Sequence, residues 1–144
     1  MSNNNNESIS GVTETRDLWA KYMMVALGVA TIGAFINSVS EIRSFPEDSF
    51  VIYTWQMLAF PVFAGLFTLL GLYPRRMPGI WELVLFQKVG VTLFNLFMAG
   101  RVTGRVTSDN PYVNIIVDGL LVVITLASYV LTKGWRAWRA PHST

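Results

Sequence analysis

The chain contains no cysteine, which excludes disulfides, iron–sulfur clusters and thiolate metal sites together. Its one histidine, His142, is third from the end, so a bis-histidine haem or a histidine-rich metal centre inside the protein is excluded as well. Any metal would need carboxylates alone, and no cofactor is assigned. Charge is also scarce: Asp, Glu, Lys and Arg make up 14% of the 144 residues, against about a quarter in a soluble protein. What is present instead is apolar, with 52% hydrophobic residues and a mean hydropathy of +0.42. One small core cannot hide that much apolar surface, so the surplus is expected to face lipid.

The formal net charge is +2 and the pI about 9.2. The bases flank apolar runs and form no continuous patch, which argues against a nucleic-acid partner. The opening "MSNNNNESISGVTETRD" is polar and acidic, unlike a secretory signal or an arginine-rich transit peptide. It is read as a disordered tail over residues 1–17, and residues 140–144 as a second short tail. Between them lies a single domain, 18–139.

A bilayer core about 30 Å thick needs roughly 20 apolar helical residues. Four segments qualify, at about 18–36, 50–72, 80–99 and 113–131. The connections "NSVSEIRSFPEDS", "YPRRMPG" and "GRVTGRVTSDNP" carry the Gly, Pro, Asn, Asp and Ser expected where helices stop. The fold class predicted is all-α, a polytopic four-helix transmembrane bundle, and the short middle connection makes spans two and three antiparallel neighbours. Arg16, Lys21, Arg75, Arg76, Lys133, Arg136 and Arg139 fall on one side, and only Arg43, Arg101 and Arg105 on the other. The positive-inside rule then puts both termini in the cytosol. The sequon Asn6-Glu7-Ser8 is expected to stay unglycosylated. Trp19, Tyr22, Tyr73, Trp81, Trp135 and Trp138 map to the cytosolic boundary and Tyr53, Trp55 and Tyr112 to the outer one, where amphipathic rings serve as anchors.

Three ionisable residues lie within the spans: Glu82, Lys88 and Asp118. A charge at mid-bilayer is unfavourable by about 2.5 to 3.5 kcal/mol on insertion scales, so each is a functional candidate with a partner to be named. Glu82 is close to the cytosolic rim, where an ion pair with Arg75 or Arg76, or the helix dipole, accounts for it. Lys88 lies about 12 Å into its span at 1.5 Å per residue. Lys88, Thr92 and Asn95 share one helical stripe, as do Asn114, Asp118, Thr125 and Tyr129 on the fourth span. Antiparallel packing brings Asn95 and Asp118 to similar depth, and Gln56 offers a further polar group on span two. Gly90 and Gly119 near this level either leave room for a cavity or mark close helix contacts. Ala26, Ala30 and Ala34 form a small-residue face on span one, and Pro61 is expected to kink span two.

The layout of four helices in about 140 residues, with a second span ending "VFAGLFTLLGLYPRR", resembles the DoxX-like group of small four-helix membrane proteins. That resemblance implies a membrane bundle associated with oxidoreductase systems, some near quinones. It transfers no catalytic residue.

Three functions stay open. One is a biosynthetic enzyme, an isomerase or cyclase, handling a lipophilic small molecule in a polar intramembrane cavity, with Asp118 and Lys88 catalytic and Asn95, Gln56, Asn114, Thr92 and Tyr129 binding substrate. The second is a non-catalytic accessory or scaffold subunit of a membrane oxidoreductase or biosynthetic complex, its polar groups only joining helices. The third is a small oligomeric transporter. The expected partners are the lipid bilayer, a lipophilic small molecule or quinone, and a second copy or larger membrane complex. The location is the endoplasmic reticulum or a bacterial inner membrane.

Overall fold

The computed structural model describes residues 4–98 and 111–139, with side chains described at 14–98 and 112–139. Arg101, Arg105, Asp109, His142 and the side chains of Asn6-Glu7-Ser8 lie outside these. Among the described residues the regular structure is entirely helical, without strands, and the long helices are α1 Asn4–Ser40, α2 Phe50–Leu72, α3 Ile80–Met98 and α4 Pro111–Thr132. Short 3-10 turns at Ile42–Ser44 and Glu47–Ser49 lead into α2, and another, Gly134–Arg139, follows α4. Four stretches are long and apolar enough to cross a membrane: Glu14–Ser40, Glu47–Leu72, Ile80–Met98 and Tyr112–Thr132.

The α1 helix starts at Asn4, inside the segment read from sequence as a tail through residue 17. No proline interrupts residues 4–17, and extending an existing helix adds a bond for each residue fixed, whereas starting one does not. The α2 helix passes through Pro61 as a single helix. Gly79 adopts φ +84°, a conformation that suits glycine, and turns the chain from the Pro78 corner into α3. At the other boundary Pro111 opens α4, where a missing N–H costs nothing.

Packing is uneven. The α1–α2 interface is the most extensive, α3–α4 and α1–α4 follow, and α2 meets α3 only sparsely. The short 73–79 connection keeps α2 and α3 neighbours, as expected, although their contact is the sparsest between consecutive helices. Glycine explains what holds α2 elsewhere. A Cβ on Gly28 would lie 2.7 Å from Thr68 Oγ1 and 3.1 Å from the Ala64 carbonyl oxygen, and one on Gly71 3.1 Å from Met24 Cβ. The two backbones thus approach closely, as small residues allow between apolar helices. The α1 packing face is Ala20, Met24, Leu27 and Gly28, whereas Ala26 and Ala30 are exposed. Ala26 precedes Gly28 by two residues, about 200° around the helix, so the alanine repeat turns away from α2.

The buried cluster consists of Met24, Leu27, Phe67, Leu70, Trp81 and Val84. It sits toward the end of the bundle that carries the α2–α3 connection. Outside it, Val29, Ile36, Trp55, Val62, Phe86, Phe97 and Val123 are all more than 60% exposed, an apolar surface that suits lipid as solvent.

Candidate functional site

Two polar clusters occupy different levels of the bundle. The first closes the end with the α2–α3 connection. Arg75 donates from Nη2 to Asp17 Oδ1 at 2.7 Å, from Nη1 to Asp17 Oδ2 at 2.9 Å, and from Nε to the Thr132 carbonyl at 2.8 Å. One guanidinium thereby ties α1, the connection and the last turn of α4, using the planar fork that only arginine offers. Beside it, Glu82 Oε1 accepts from Tyr129 Oη at 2.7 Å and from Trp138 Nε1 at 3.2 Å. Trp81 is 1% exposed and donates from Nε1 to the Pro74 carbonyl at 2.8 Å. Tyr129 packs against both Trp81 and Trp135, at ring distances of 5.7 and 5.6 Å.

These contacts correct three expectations. Tyr129 does not join the Asp118 group, because Glu82 captures its hydroxyl. Of the two accounts of Glu82, the ion pair with Arg75 or Arg76 gives way, since Asp17 takes the Arg75 fork, while its place in the first turn of α3 agrees with the helix-dipole account. Trp81 is a core residue with a satisfied indole and no boundary anchor.

The second cluster lies at mid-helix. Lys88 Nζ stands 3.7 Å from Asp118 Oδ1, an ion-pair distance beyond hydrogen-bond length. Asn95 Nδ2 donates to Asp118 Oδ2 at 3.3 Å. The Lys88 and Asp118 side chains are 12% and 18% exposed. The ammonium also stands 4.6 Å from the centre of the Phe63 ring of α2, within cation–π range. Helical spacing places Lys88 and Asn95 on one stripe of α3, and the Thr92 methyl between them meets α4 at Gly119.

The other sequence candidates separate. The Thr92 hydroxyl donates to the Lys88 carbonyl at 2.8 Å, so it serves its own helix. Asn114 is half-buried one turn before Asp118. Gln56 is half-buried on α2, seven residues before Phe63 and so on the same face, but no hydrogen bond links it to the pair. Gly90 is exposed with nothing near its Cβ position, and Gly119 makes an ordinary contact with Thr92, so neither lies at a constriction.

Among the described residues, three buried side-chain polar atoms lack a hydrogen-bond partner: Gln87 Oε1, Thr125 Oγ1 and Ser128 Oγ. Hydroxyls on apolar helices normally bond back to a carbonyl one turn earlier, as Thr31, Thr54, Thr68, Thr92 and Thr132 do here. Thr125 and Ser128, both 0% exposed, depart from that habit. A buried polar atom left unpaired costs about 1–3 kcal/mol, so such atoms point to a group that completes them. Asp17 and Ser128 escaped the sequence reading. Asp17 was assigned to the tail, although it directly precedes an apolar run whose end faces the Arg75-Arg76 corner. Ser128 lies off the period that joins Asp118 to Thr125.

Compared with protein-family profiles, curated proteins and solved structures, the chain matches none.

Proposed function

We propose that this chain is a multi-pass integral membrane protein whose Lys88–Asp118–Asn95 cluster receives the polar head of a lipophilic small molecule. Both termini lie in the cytosol, of a cell whose endoplasmic reticulum or bacterial inner membrane holds the bundle. The reading rests on one observation. Lys88 and Asp118 face each other at 3.7 Å, largely shielded, at a separation beyond hydrogen-bond length. The opposite charges attract one another across the α3–α4 interface, and desolvation works against the pair. Asp118 is then placed to take a proton from a bound molecule and return it to another atom, while Lys88 stabilises the negative charge that develops. Proton removal and return without net redox change is isomerase or cyclase chemistry.

The test is chemical. Protein purified from its native membrane is extracted with organic solvent, and the extract compared by mass spectrometry with those of Asp118→Asn and Lys88→Ala. A compound enriched at least tenfold in the wild-type extract supports the reading, and identical extracts overturn it. Glycosylation at Asn6 in microsomes would reverse the orientation.

A second reading, an accessory subunit, draws support from Asn95 and Lys88 both reaching Asp118 across the α3–α4 interface. On that reading the cluster secures helix register. The DoxX-like layout favours an oxidoreductase partner for such a subunit. Co-purification of a larger partner, unchanged by Asp118→Asn, would distinguish it.

A further inference from the structure

The seam between α2 and α3 is the thinnest interface between consecutive helices, and it is where the Lys88 ammonium meets Phe63. Gln87 belongs to the same seam. The inward stripe of α3 runs through the buried Trp81 and Val84 and the half-buried Lys88 and Asn95. Glu82 and Gln87 flank it on opposite sides, about 220° apart measured across the stripe at 100° per residue. Glu82 faces α4, because Tyr129 bonds it. Gln87 therefore lies on the flank toward α2, with Oε1 buried and without a partner. Gln56 stands two turns along α2 from Phe63 on the same face.

We infer that the α2–α3 seam is a lateral opening from the bilayer, and that it admits a neutral amphiphile whose head carries a hydroxyl beside a carbonyl, the chemistry of a diacylglycerol. The inference rests on the proposed function for its ligand site and adds the route and the headgroup. Asp118 already balances the Lys88 charge, so a charged head would leave a net charge buried among apolar helices. The ammonium offers hydrogens, which a carbonyl oxygen accepts. Gln87 Oε1 needs a donor, which a hydroxyl supplies. The acyl chains stay in lipid beside Leu83 and Phe94, both exposed and on the Gln87 side of α3. A sparse interface between two helices parts with little loss of packing.

A thermodynamic cycle tests this. Wild type and Gln87→Leu in nanodiscs are titrated with a short-chain diacylglycerol and with its 3-O-acetyl derivative, which keeps the carbonyls and lacks the donor. Acetylation is expected to weaken binding to the wild type about tenfold, one unmade hydrogen bond. Gln87→Leu is expected to weaken diacylglycerol by a similar factor and to leave the acetylated compound unchanged. A diacylglycerol carrying a diazirine near its head is expected to label Phe60, Phe63 or Val91. Absence of diacylglycerol binding, equal binding of both compounds to the wild type, equal losses of both in Gln87→Leu, or label confined to α1 and α4 would each overturn the inference. A different molecule retained by wild type and lost in Lys88→Ala would leave the proposed function standing, so the two failures are separable.

Discussion

Arg75, in the α2–α3 connection, and Lys88, on α3, are both cations facing a carboxylate on another helix, and they are held in opposite ways. At the end with the α2–α3 connection, Arg75 makes hydrogen bonds of 2.7 to 2.9 Å to Asp17 and the Thr132 carbonyl. Glu82 is engaged by a phenol and an indole. At mid-helix, Lys88 stops 3.7 Å short of Asp118, and Asn95 reaches the same carboxylate at 3.3 Å. The polar groups of the first cluster are consumed in binding one another. Those of the second keep bonding capacity, with the orphaned Gln87 oxygen next to Lys88 on α3, whereas the orphaned Thr125 and Ser128 hydroxyls lie nearer the closed end on α4. On the proposed function, the first cluster holds the fold and the second meets a bound molecule.

The comparison breaks most readily at the closed end. Gly134→Ala would place a Cβ 2.5 Å from Tyr129 Cδ2 and 2.9 Å from Trp81 Cδ1. Ring and indole have nowhere to retreat, so denaturant titration in detergent should show a loss of about 3 kcal/mol, the upper range for overpacking. Next comes Arg75→Ala, which strips Asp17 and the Thr132 carbonyl of their donor. A loss of about 1–2 kcal/mol is expected in the same titration, moderated because the pair is partly exposed. An unchanged midpoint in both variants would erase the contrast between the clusters. The smallest effect sharpens it. Lys133 holds φ +52° at the end of α4, a left-handed conformation that side chains resist. Lys133→Gly should therefore stabilise the closed end by about 0.5–1 kcal/mol.

The helices were legible in the sequence because length and apolar content decide a span with little help from context. Phe50 to Leu72 was read at the bounds the structure gives. Lys88, Asn95 and Asp118 were legible as neighbours because helical periodicity and antiparallel depth suffice to bring them together. What stayed hidden depends on rotation and on distant partners. Spacing cannot tell which face of α1 meets α2, and there the alanine repeat misled while Gly28 made the contact. Nor can it rank competing partners: Tyr129 lies on the Asp118 period but bonds Glu82, and Arg75 prefers an Asp17 that composition assigns to a tail. Gln87 was visible beside Lys88, but its orphaned oxygen emerges only when the neighbouring helices are in place.

The most direct test replaces the mid-helix cluster as a unit, with Lys88→Met, Asp118→Leu and Asn95→Leu in one chain. Buried ion pairs exchanged for apolar groups of similar volume are often neutral or stabilising. The triple variant in nanodiscs is therefore expected to unfold at or above the wild-type temperature while its solvent extract lacks the bound lipophile. A variant that unfolds well below the wild type and yields an unchanged extract would show that the mid-helix pair holds the fold after all.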